Sequence, residues 1–169
     1  MHQFKDSSGR VFNVVINLGT VARLRSVLAI DLLEVDSKVT TFGGHELPLA
    51  IVLQGADVVV LADVIHAVCQ PHLDTLGITR DAFLALLSGD VLQDAQRALL
   101  EEWQDFFRGL NRQQSIQMIQ AAKTLVTAAV QKAEVVAEAA HIRALEYLET
   151  YSTNATGSPE ASAAETPAA

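Results

Sequence analysis

Residues 90–107, DVLQDAQRALLEEWQDFF, carry the pattern that decides the fold. Leu92, Ala95, Leu99, Trp103 and Phe106 recur at spacings of 3, 4, 4 and 3, which places them on one face of an α-helix. A helix with so wide an apolar stripe is stable only against a core, so the neighbouring segments must supply one. Ser88-Gly89 marks the break before this helix, and Asn111–Gln114, the polar residues that follow Gly109, are the natural hinge after it.

Upstream, Thr79 is placed to cap a short helix ending at Leu87, with Asp81 in its first turn, where the helix dipole favours negative charge. Leu76-Gly77-Ile78 reads as a turn. Before it, Asp57 caps a helix whose expected apolar face is Val58, Leu61/Ala62, Ile65 and Cys69, and Pro71 is the expected stop. Leu49–Leu53 suits either a buried helical turn or a strand, and Lys38–Leu47 either a strand fragment or an ordered loop. Asp31–Glu34 reads as an irregular or helical exit from a helix carrying Val21, Leu24 and Val27/Leu28, for which Thr20 and Asn17 compete as N-cap. At the N-terminus, Gln3–Lys5, the turn Asp6-Ser-Ser-Gly9 and the β-branched run Arg10–Asn17 predict a hairpin.

Downstream of Gly109, no Pro or Gly interrupts residues 111–151, which are rich in Ala, Gln, Glu, Lys and Leu. Ile119, Ala122, Val126, Ala129, Ala133, Val136 and Ala140 follow a heptad-like seam. A helix of roughly 40 residues would run about 60 Å, so it either folds back as a hairpin or reaches for a partner. Ser152–Ala169 has no large apolar side chain and is expected to be a disordered tail. The expected architecture is therefore α+β and predominantly helical. An N-terminal β-hairpin packs on a small helical bundle in a globular domain of residues 1–110, followed by a long helix (111–151) and the tail (152–169).

Composition narrows the function classes. Of 169 residues, 50% are hydrophobic, 5% aromatic and 19% charged, with 12 basic against 20 acidic residues and a net charge of −8. Half the chain being apolar excludes wholesale disorder, and the acidic balance argues against a nucleic-acid partner. The polar N-terminus lacks a secretory h-region, and no apolar run reaches the length of a membrane span. The single cysteine excludes an internal disulfide, in keeping with a reducing cytoplasm.

Four groups of residues are candidates for chemistry or binding. His66, Cys69 and His72 form an H-x2-C-x2-H run, but a structural zinc site needs a fourth ligand, from Asp63, His45 or His141. Against it stands a core cysteine flanked by histidines near a helix end, and we expect no cofactor. Glu101, Glu102 and Asp105 are paired carboxylates, expected on the solvated face of their helix. Gly43-Gly44 lacks the rest of a phosphate-loop pattern, and there is no G-x-S-x-G. Trp103, Phe106 and Phe107, three of the nine aromatics, are either core or a groove for an apolar helix of another chain.

The order of these elements resembles a known group. F-K-D-x-x-G-R-x-F-x-V-x-I (Phe4–Ile16) leads to V-x-R-L-R…D-L-L (Val21–Leu33) and L-A-D-V-I-H-A-V-C (Leu61–Cys69). G-I-T-R-D-A-F…L-L-S-G-D (Gly77–Asp90) and A-L-L-E-E-W-x-D-F-F (Ala98–Phe107) follow. Together they resemble the tail assembly chaperones of long-tailed bacteriophages and prophages, over roughly residues 4–107; Val35–Gly55 and the terminal helix lie outside the likeness. The resemblance implies a non-enzymatic protein of the host cytoplasm that covers the apolar helices of a tape measure protein and recruits tail tube protein. Trp103, Phe106, Phe107, Val126, Ala129, Ala133 and Val136 are the residues expected to make those contacts. A tail-tip or connector subunit retained in the particle, with the long helix joining copies as a homo-oligomer, is the structural alternative. A small metal-binding protein built on His66, Cys69 and His72 is the third.

Overall fold

A computed structural model describes residues 2–155, with side chains as far as Arg143. It is α+β and predominantly helical, in the order β1 (His2–Lys5), β2 (Val11–Val14), α1 (Leu18–Leu28), β3 (Lys38–Thr40), β4 (Glu46–Pro48), α2 (Leu49–Ile51), α3 (Val58–Leu76), α4 (Arg80–Leu86), α5 (Asp90–Gly109) and α6 (Gln113–Ala155). The chain divides into two units, Met1–Thr127 and Ala128–Ala169. The first unit extends past the expected boundary at 110, because the opening turns of α6 bury Ile116, Ile119 and Ala122 in its core. The described part of the second unit is the remainder of α6, which continues to Ala155. The tail expected from 152 falls, beyond Ala155, outside the described residues.

The hairpin is antiparallel, with Phe4 opposite Phe12 and their rings stacked at 5.3 Å. Its turn is organised by Asp6, whose carboxylate accepts hydrogen bonds from Ser8 N (2.9 Å), Ser8 Oγ (2.7 Å), Arg10 N (2.9 Å) and Arg10 Nε (2.7 Å). The Ser8 hydroxyl and these further donors lower the Asp6 pKa to about 2, against the opposing effect of burial. Gly9 stands at φ +82°, a left-handed position that lets the strand return.

Asn17, not Thr20, caps α1: its Oδ1 accepts from Thr20 N at 2.9 Å. Asp31–Glu34 is an irregular turn. Lys38–Leu47 resolves into a second antiparallel hairpin, with Val39 opposite Leu47. Leu49–Leu53 is helical rather than extended, running through α2 into a π-turn over Val52–Ala56. Asp57 ends that turn and caps α3, accepting from Val59 N (2.9 Å) and Val60 N (3.1 Å).

α3 is the central element and corrects two expectations. Its buried face is Leu61, Val64, Ile65, Ala67, Val68, Cys69 and Leu73, whereas Val58 is exposed. It also passes through Pro71 and ends at Gly77, whose φ of +64° closes the helix. A proline removes the hydrogen bond to the carbonyl four residues earlier. Here that carbonyl belongs to Ala67, and Arg23 Nε from α1 donates to it at 2.9 Å. The neighbouring helix thus meets the carbonyl that Pro71 leaves open.

α5 lies against β1, β2 and α3. Ala95, Leu99 and Trp103 of the predicted stripe are buried and Leu92 and Phe106 half-buried; Ala98, Glu102 and Phe107 widen the covered face.

Candidate functional site

The aromatic trio on α5 separates by environment. Trp103 and Phe107 are fully buried, 5.8 Å apart, and the indole Nε1 donates to Leu32 O at 2.9 Å. That bond satisfies the polar end of a ring that otherwise packs as core. Both rings are therefore structural here and present no face to a partner. Phe106 is half-buried, with its ring 5.9 Å from Phe107, and is the one member of the trio that reaches the surface.

The remaining predicted contact residues lie on α6. Within the first unit Val126 is half-buried, while Ile119 and Ala122, earlier in the same seam, are covered. In the second unit Ala129, Ala133 and Val136 are all exposed, Val136 to 60%. The heptad spacing is the same on both sides of Thr127; only the covering differs. Large apolar side chains beside the seam add to it: Leu125 at 64% exposure and Val130 at 52% sit one turn before Ala129 and Ala133. These two were legible as neighbours of seam residues at helical spacings of four and three. Phe42 carried no such signal, yet at the tip of the second hairpin it is 85% exposed. Its backbone N donates to Asp57 Oδ2 at 2.6 Å, the leading cause of the lowered Asp57 pKa.

The acidic cluster on α5 is tied to the hairpin. Glu102 is buried, contrary to a solvated placement, and accepts from His2 N at 3.1 Å and Ile16 N at 3.4 Å. Glu101 and Asp105 flank the His2 ring at 2.9 and 3.0 Å, and the His2 hydrogen bond is the main cause of the lowered Asp105 pKa. All three carboxylates therefore hold β1 onto α5.

His66, Cys69 and His72 are not brought together. His66 lines a small hollow with Asp63 and Arg80, its ring 5.9 Å from Phe83, while Cys69 and His72 line a different one. No group of three or more His, Cys, Asp or Glu side chains among the described residues is arranged to hold a metal ion. Burial pushes the Cys69 thiol up to about 12, so it stays protonated at neutral pH, and burial also lowers the His66 pKa.

Among the described residues no single helix is long and apolar enough to cross a membrane. Fold and site together define a helix-rich α+β protein bearing an uncovered apolar helical seam. No family model matches the chain, and neither a curated protein nor a solved structure matches it.

Proposed function

We propose that the protein is a non-enzymatic binding protein that covers apolar helices of a partner with the seam of α6, in the manner of a phage tail assembly chaperone. The observation that carries this is the exposure of Ala129, Ala133 and Val136 in a heptad register whose earlier members, Ile119 and Ala122, are buried. Alanines along such a seam let a second helix approach closely, and the valines and Leu125 supply apolar area. Helices carrying uncovered apolar stripes aggregate, and an acidic chain with a net charge of −8 keeps such a complex in solution. The partner in this reading is the tape measure protein, with tail tube protein displacing the chaperone during polymerisation, all in the host cytoplasm.

Co-expression with the tape measure protein of the same gene cluster tests the proposal. The partner's soluble fraction should rise and the two should co-elute, and Val136→Asp should abolish both effects while the chain itself stays folded. Unchanged solubility and elution of the tape measure protein would sink the reading. Mass spectrometry of purified particles separates it from a retained connector subunit, since an assembly chaperone is absent from mature particles.

A further inference from the structure

We propose that the hollow between β2, α1 and α3 is a binding site for a small organic oxyanion, a carboxylate or phosphate monoester on a compact apolar body. The hollow measures about 450 Å³, within the range of small-molecule sites. Val15, Val68 and Pro71 form apolar wall, and Arg23 and His72 bring the polar groups. None of its described lining residues is Asp or Glu, in a chain where acids outnumber bases by 20 to 12.

Arg23 differs from most arginines of the first unit. Arg10, Arg25, Arg80, Arg97 and Arg108 each pair with a carboxylate, whereas Arg112 donates to Leu33 O at 3.2 Å and acts on Asp31 only through space. Arg23 has no carboxylate partner among the described residues; its contacts are the neutral Ala67 carbonyl and Thr20 hydroxyl. Those two bonds fix the guanidinium in place and use two of its five N–H donors. The other three are left for an acceptor, in the forked geometry that suits a carboxylate or phosphate. His72 also lines the hollow, its ring in an edge contact with Phe12, and its ring nitrogens have no hydrogen-bond partner among the described residues. A positive charge already oriented, an idle imidazole and an acid-free lining suit an anion, and the apolar wall suits the body that carries it.

The test is a titration of the full chain, labelled with ¹⁵N, with phenyl phosphate, benzoate and, as the uncharged analogue, phenol. Saturable amide shifts centred on Asn13, Thr20 and His72 are expected with at least one of the anions and not with phenol. The stronger of the two anions identifies the head group. Arg23→Gln retains a donor for Ala67 O but loses the charge, and should weaken binding at least about tenfold, the worth of a charge-assisted hydrogen bond. Thr75 is exposed at the rim. Thr75→Glu places a carboxylate in the hollow without touching the core and should weaken binding about fivefold or more; it carries the test alone if Arg23→Gln fails to fold. Absence of saturable shifts with either anion at about 10 mM, equal binding of phenol, or full affinity in both variants would overturn the assignment.

Discussion

Ile119 and Val136 belong to one heptad seam on one helix, yet the first is fully buried and the second 60% exposed. Within the first unit the seam is covered as far as Ala122 and half-covered at Val126; in the second unit Ala129, Ala133 and Val136 are exposed. An apolar period in a sequence reports that a helix face is suited to being covered. It carries no information on whether the covering comes from the same chain; here the change from covered to exposed side chains falls close to the division at Thr127.

Substitutions on the two sides of that division should therefore differ most. Trp103→Ala in the core should cost about 3–5 kcal/mol and Ile119→Ala about 2–5 kcal/mol, measured as loss of unfolding free energy in urea. If Ile119→Ala cost no more than a surface change, the covered half of the seam would be no different from the bare half. Arg23→Ala should cost about 1–3 kcal/mol by stranding the Ala67 carbonyl beside Pro71. Hydrogen exchange should then quicken at residues around Pro71 in α3; undisturbed exchange would show that the helix passes its proline without help from α1.

Acid should loosen the first unit through its hydrogen-bonded carboxylates. Asp6 is lowered from 3.8 to about 2, so its contribution is fully present above pH 3.8 and is lost as pH falls through about 2. Asp57, lowered by the Phe42 and Val60 amides, acts in the same direction. The urea midpoint should drop between these pH values, and Asp6→Asn should flatten the drop; an equal drop in that variant would remove Asp6 from the account. The smallest effect belongs to the bare seam. Val136→Ala should change the stability of the chain alone by no more than about 0.5 kcal/mol.

How much of this was legible in the sequence follows from the range of the interactions involved. The hairpin, the α5 stripe and the Asp57 cap depend on neighbours in sequence, and residue spacing located them. Asn17 won the α1 cap from Thr20, whose hydroxyl instead donates to Val15 O. Where α3 passes through Pro71, the open Ala67 carbonyl is met by Arg23, 44 residues away, and no local pattern announces that contact. The same distance hides the hollow that Arg23 shares with His72. Glu102 looked like part of an acidic surface because its partners, the amides of His2 and Ile16, lie 100 and 86 residues away. For the contact residues, spacing grouped Trp103 and Phe107 with Phe106, and only packing against Leu32 and the core separated them.

Hydrogen–deuterium exchange along α6, with and without the co-expressed tape measure protein, tests the central claim most directly. In the chain alone, amides of residues 113–127 should exchange more slowly than those of residues 128–143. With the partner bound, protection should spread along the seam through Ala129, Ala133 and Val136 and leave the first unit unchanged. Protection confined to the first unit, or none at all in a complex that forms, would contradict the claim that this seam is where the partner docks.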